Sequence, residues 1–154
     1  IETMVDVRPN VEAVRNLRAV GLRPTRQRLA LAQLLFGHGN HHVTAESLYE
    51  SAQNSDIKVS LATVYNTLHQ FTAAGLLRQV VVDSTRSYFD TNVDEHQHFF
   101  FEDTGEIADI LETPEILGAP GEPGARINSI GLMDLPSDME VSRVDIVVRL
   151  RSTA

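Results

Sequence analysis

The chain has 154 residues, 42% of them hydrophobic, with no cysteine and a formal net charge of −8, enough for one ordinary domain or two small ones. The missing cysteines exclude disulfides, thiolate zinc sites and cysteine catalysis together. No run approaches the roughly 18 apolar residues of a membrane span, and no basic leader with an apolar stretch opens the sequence, so a cytoplasmic location without a membrane partner is expected. The charge is uneven: residues 1–92 carry nine Lys/Arg against eight Asp/Glu, whereas residues 93–154 carry four against thirteen. The first part is therefore free to approach a polyanion and the second is not, which reads as two modules.

In chain order, Val11, Val14, Leu17 and Arg18 recur at helical steps and predict a helix over 11–20, stopped by Gly21. Pro24-Thr25 marks a second start, and Leu29, Ala32, Leu35 and Phe36 give it an apolar stripe before Gly37 and Gly39. Thr44 is a cap for a third helix over 45–53, with Glu46 in its first turn. Ser60 caps a fourth, which runs to Gly75.

On a wheel of that fourth helix, Leu61, Val64, Leu68, Phe71 and marginally Tyr65 share one side, opposite Ala62, Thr63, Asn66, Thr67 and Gln70. The polar side carries no charge. It reads either as plain solvated surface or as small hydrogen-bonding groups suited to base edges in a major groove. Runs at 77–82 and 86–90 around Asp83-Ser84-Thr85 predict a β-hairpin. Helices ending in such a face, followed by a hairpin, predict a winged helix-turn-helix, with the fourth helix as the reader of double-stranded DNA. Ser60, Thr63 and Asn66 are its candidate contacts. Arg78 and Arg86 on the wing, with Arg23, Arg26 and Arg28 near the second helix start, are candidate phosphate partners.

The second module starts near residue 93. Strands are predicted over 96–101 and 106–111, joined by Asp103-Thr104-Gly105, and over 141–150. Four of the six prolines and four of the nine glycines fall within 114–136, so at most a turn or two of helix is expected there. A three-stranded sheet of this size buries its faces best against a second copy. A two-fold homodimer would also present two reading helices to a pseudo-palindromic site. The expected fold is α+β: a winged-helix DNA-binding domain over 1–92, then a small three-stranded α/β dimerisation and metal-sensing domain over 93–154.

His96-Gln97-His98 is the most informative stretch. On a strand, alternate residues face the same way, so the two imidazoles would stand roughly 6–7 Å apart. With His42 before the third helix, Asp90 at the end of the wing and Asp109 on the neighbouring strand, they make three imidazoles and two carboxylates without sulfur. Such a set suits five- or six-coordinate Fe2+, Mn2+ or Co2+, and Zn2+ can occupy it by the general affinity order. Ligands from both modules would clasp the hinge. Taken singly, each residue has a plain reading: His41 and His42 as solvated loop histidines, Asp90 as a strand end, Asp109 as a surface carboxylate.

His41-His42-Val43-Thr44-Ala45-Glu46-Ser47-Leu48-Tyr49, Ser60-Leu61-Ala62-Thr63-Val64-Tyr65-Asn66-Thr67-Leu68, Arg86-Ser87-Tyr88-Phe89-Asp90 and His96-Gln97-His98 together resemble the ferric uptake regulator superfamily, over about residues 21–110. The resemblance implies a dimeric, metal-responsive winged-helix repressor. It places His42, Asp90, His96, His98 and Asp109 at the regulatory metal site, Tyr65 at a base contact and Arg23 at a minor-groove contact. Asp90 stands where many members have glutamate, and Asn66 stands where many have a guanine-reading arginine, whereas asparagine suits adenine better. Phe101 and Thr104 stand where a structural zinc's first cysteine pair would be, so no four-cysteine zinc is expected. A further site at Glu95 and Gln97 is expected to be missing or crippled, because Gln97 is a poor ligand and no histidine follows His98.

The absent cysteines, the proline-broken segment and the ending Ser142-Arg143-Val144-Asp145-Ile146-Val147-Val148-Arg149-Leu150-Arg151 resemble the iron response regulator branch. That likeness implies haem as a signal, received at His96 and His98. An alternative from another class is a small non-haem metalloenzyme, since His96, His98 and Glu102 have a cupin-like spacing. The glycines of that motif are absent and the first 75 residues read as mostly helical.

Overall fold

The computed structural model describes residues 11–37, 39–110, 136–139 and 143–153. They fall into two compact units, the first ending at Val93 and the second beginning at Asp94. No helix among the described residues is long and apolar enough to cross a membrane.

The first unit holds α1 (Val11–Ala19), α2 (Arg26–Phe36), β1 (His42–Val43), α3 (Ala45–Asn54), α4 (Leu61–Ala73), β2 (Arg78–Val81) and β3 (Ser87–Asp90). Each of the last three helices opens on a hydroxyl cap: Thr25, Thr44 and Ser60 accept from the backbone N–H of Arg28, Ser47 and Thr63. At α3 the cap is reciprocal, because the Ser47 hydroxyl also accepts from the Thr44 N–H. Gly21 and Gly75 end α1 and α4 with φ of +79° and +83°. The next N–H in each case reaches back five residues, Leu22 to Leu17 O and Leu76 to Phe71 O, both at 2.9 Å. Asp56 (φ +56°) closes α3 in the same way, a stop that no glycine in the sequence advertises.

The apolar stripes of all four helices meet in one core with Val43, Leu77 and Phe89, in which Leu31, Leu35, Val64, Leu68 and Phe71 are fully buried. The expected wheel of α4 needs two corrections. Thr67 is buried at 4% exposure and Tyr65 is 37% exposed, because the buried positions 64, 67, 68 and 71 follow the i, i+3, i+4, i+7 row. Strand order in this unit is β1-β3-β2, all antiparallel. The hairpin turn is built on Asp83, whose carboxylate accepts from the N–H groups of Thr85 and Arg86. The result is a winged helix-turn-helix. β1 is an addition to the expected elements, for two residues are too short to show alternation in a sequence.

The second unit holds β4 (Gln97–Phe101), β5 (Ile107–Ile110) and β6 (Val147–Leu150) in the order β5-β4-β6, with β6 parallel to β4. Together the two units are α+β. Of the expected 141–150, residues 141 and 142 lie outside the described residues and β6 covers only 147–150. Arg143 pairs locally with Asp145, and the Ile146 N–H is taken by the Gln97 side chain at 2.7 Å while its carbonyl accepts from the His98 N–H at 3.3 Å. The expectation for 114–136 falls, apart from Pro136, outside the described residues.

Candidate metal centre and nucleic-acid interface

In the second unit, His98 on β4 stands directly opposite Asp109 on β5, so their side chains share a face. His96 lies two residues before His98 on the same face, and the two rings converge to 4.4 Å between centroids. Asp109 Oδ1 lies 2.9 Å from His96 Nε2 and 3.3 Å from His98 Nε2. The donor atoms of all three residues lie within 4.8 Å of one another.

The tautomer of His96 decides what this cluster asks for. His96 Nδ1 lies 2.6 Å from the carbonyl oxygen of Asp94. A carbonyl can only accept, so Nδ1 carries the hydrogen. In the neutral ring Nε2 is then a bare lone pair, aimed at a carboxylate oxygen. Two acceptors at that distance call for positive charge between them, either a proton on Nε2 or a metal ion bound by both. A backbone carbonyl fixing the remote ring nitrogen is also how metal-ligating histidines are usually oriented. The donor set therefore fits a divalent ion.

In the first unit, His42 on β1 stands opposite Asp90 on β3, with Nε2 2.9 Å from Oδ2. The other oxygen, Oδ1, accepts from the Asn92 N–H at 2.9 Å, and Asp90 is fully buried. His41 points elsewhere: its Nδ1 donates to Gly39 O at 3.1 Å, while its backbone pairs with Thr91. Gln97 is buried and engaged with the Ile146 backbone, which makes it a structural strut rather than a ligand. The cupin-like reading fails on architecture: β4 belongs to a three-stranded sheet rather than a jelly roll, and Glu102 is exposed beyond its end.

Of the expected DNA contacts, Arg23, Ser60, Tyr65, Asn66 and Arg86 are exposed and Thr63 is half-buried. Ser60 and Thr63 hydroxyls lie 2.9 Å apart in the α4 cap. Arg86 Nε sits 3.2 Å from Asp83 Oδ2 at the wing tip. Arg78 is the exception. Expected on the wing surface, it is buried at 5% exposure, in register with Asp90, where a phosphate does not reach it. The neighbouring Arg28 reaches the Arg23 carbonyl (2.9 Å) and Gln70 Oε1 (3.0 Å), tying the loop before α2 to the end of α4.

One side-chain pair escapes sequence reasoning. The Tyr65 hydroxyl donates to Glu46 Oε1 at 2.6 Å, joining α4 to the first turn of α3. Its only signals are two residues 19 apart on different helices. The Glu46 hydrogen bond, with smaller contributions from desolvation and from the charge of Glu46, raises the phenol above its ordinary value of 10.0. Because the folded-state value is raised, this contact stabilises the fold below the ordinary phenol range and is lost as pH rises through the raised value. Glu46→Gln is expected to bring the titration down towards 10.0, read as phenolate absorbance against a Tyr65→Phe control. An unchanged titration would remove Glu46 as the cause.

Residues 19–122 match the ferric uptake regulator family. The chain is 33% identical over 98 residues to the peroxide-responsive repressor PerR of Staphylococcus aureus, a match spanning 64% of this chain and 66% of that protein. It thus spans just under two thirds of the length of the curated relatives it matches. Among solved structures, the ferric uptake regulator of Pseudomonas aeruginosa with manganese is similar at a TM-score of 0.65 and 27% identity, covering 92% of this chain and 98% of that one. The Vibrio cholerae ferric uptake regulator is similar at a TM-score of 0.69 and 22% identity, covering 90% and 98%, a likeness of fold.

Proposed function

The chain belongs to the ferric uptake regulator family, and on that premise we propose that it is a metal-responsive, DNA-binding transcriptional regulator of iron and haem genes, acting as a homodimer on a pseudo-palindromic operator. The observation that carries the metal response is the convergence of His96 Nε2 and His98 Nε2 on one Asp109 oxygen, with the other His96 ring nitrogen held by the Asp94 carbonyl. His42 with Asp90 from the first unit, and His96, His98 and Asp109 from the second, are the proposed ligand set. Fe2+ or Mn2+ is the proposed native ion, with Zn2+ or Co2+ as substitutes.

Bound there, a divalent ion would supply the positive charge shared by ligands of both units. The residues do the rest by bias. Their combined set favours whichever arrangement of the two units brings all five donors together, and it shifts the population only by that difference in affinity. The exposed side of α4, with Tyr65 and Asn66, is the proposed base reader, and Arg23 and Arg86 are the proposed phosphate or groove contacts. Residues 1–92 are close to neutral, so neither reader nor wing is repelled by the operator. The dimer reading has its own support: among the described residues of the second unit, Phe100 is the one fully buried large apolar side chain, while all of β5 is only half-buried. Such a sheet gains a core by pairing with a second copy.

The finer reading is haem as the signal. Haem iron takes axial histidine, and the proposed receivers, His96 and His98, are the same nitrogens that serve the divalent ion. Haem and metal would then compete. The test is anisotropy of labelled duplexes selected by the Mn2+-loaded protein from a random pool. Binding is expected with Mn2+, release with chelator, and release with haem at constant Mn2+. Equal affinity with Mn2+ and with chelator would overturn the metal response, and retention with haem would overturn the haem reading alone.

A further inference from the structure

Arg78, set aside above as a phosphate contact, has a place in the sheet that suggests a different task. β3 lies between β1 and β2, and Asp90 is opposed by His42 on one side and by Arg78 on the other. Directly opposed residues in antiparallel pairs share a face, with Cβ atoms about 4.5–5.5 Å apart. His42, Asp90 and Arg78 therefore form one row across the sheet. Asp90 is fully buried and Arg78 nearly so. The next pair along that face is Val80 with Tyr88, both buried, so the row is bordered by apolar surface.

A guanidinium keeps its charge at any pH a folded protein meets, and a buried charge requires a counter-charge. The register sets the Asp90 carboxylate beside it. We propose that Arg78 is the internal counter-charge of Asp90, which it holds when no ion is bound and from which a divalent ion must win it, so that Arg78 sets the metal concentration at which the protein responds. The inference rests on Asp90 being a ligand, as proposed above. A fixed positive charge beside a ligating carboxylate disfavours a second cation there. Arg78 thus weakens metal binding while keeping the empty sheet folded, and the two roles pull in opposite directions when it is replaced.

The test is Mn2+ affinity by calorimetry on the full chain, with thermal melts with and without Mn2+. Arg78→Gln is expected to bind Mn2+ about tenfold more tightly, the low end of what one neighbouring charge does to proton binding by a carboxylate. Its metal-free form is expected to melt lower and to gain more on adding Mn2+ than the wild type does. Arg78→Lys keeps the charge and should stay closer to wild type than Arg78→Gln does. In an Asp90→Asn background the effect of Arg78→Gln should vanish. Arg78→Met, whose apolar stem suits the buried face, is measured beside Arg78→Gln, and either folded variant decides. Wild-type or weaker affinity in that variant would overturn the role of Arg78. Loss of binding in a His96→Ala/His98→Ala control keeps the metal site itself intact as a reading, whereas full binding in that control would overturn the site and leave Arg78 without a task.

Discussion

Manganese binding is expected to fall by more than about 100-fold when His96 and His98 are both replaced with alanine, since removing a mere outer-shell partner of a metal ligand already costs about 10–100-fold. The two rings are the only imidazoles of the second unit among the described residues, and both aim Nε2 at one carboxylate oxygen. Without them Asp109 is a lone carboxylate on β5, and His42 with Asp90 cannot bridge to a partner set. Operator affinity in Mn2+ should drop to the value seen with chelator. Haem added to the double variant should lose the Soret signature of histidine ligation if these rings receive it. The fold should persist, because the β4–β5 and β4–β6 backbone ladders do not depend on either ring. Circular dichroism and dimer mass check that point. Wild-type Mn2+ affinity in the folded double variant would remove the proposed centre.

This centre was legible in the sequence to an unequal degree. The half on His96, His98 and Asp109 follows from strand alternation and one hairpin, both short-range rules that a sequence displays directly. The half on His42 and Asp90 does not, because β1 is two residues long and pairs with a strand 48 positions on. In the sequence it rested on residue type and place near the module boundary, and on likeness of motifs. The misses have a common cause. Thr67, Arg78 and Gln97 are polar by type and buried by position, and composition assigns all three to a surface. Their partners are set by register (Arg78), by a backbone N–H at residue 146 (Gln97) or by a helical row shared with Leu68 and Phe71 (Thr67), none of which is local in sequence. The helix caps were legible because a hydroxyl and the N–H it serves lie three residues apart, whereas Glu46 and Tyr65 meet only after α3 and α4 have packed.

The packing of α3 on α4 makes Phe71 the second position at which a large effect is expected. Phe71 is a fully buried member of a cluster that draws on all four helices, with Val43, Leu77 and Phe89. Phe36 lies against it, ring centroids 6.2 Å apart, at the rim of the same core. Phe71→Ala removes that ring and leaves a cavity that helices fixed by three hydroxyl caps cannot easily close, at a cost of about 3–5 kcal/mol. A domain holds only about 5–15 kcal/mol in total, so the first unit should melt at least about 10 °C lower. Phe36→Ala, at a position already 42% exposed, should cost no more than about 1–2 kcal/mol. The comparison separates stability from recognition. Phe71 is buried on the far side of α4 from Asn66, so the variant held well below its melting temperature should still bind the operator in Mn2+ with nearly wild-type affinity, and lose it only as the first unit unfolds. A melting temperature within a few degrees of wild type would mean that the core does not depend on Phe71. Loss of operator binding in the still-folded variant would mean that this ring sets the angle at which α4 is presented.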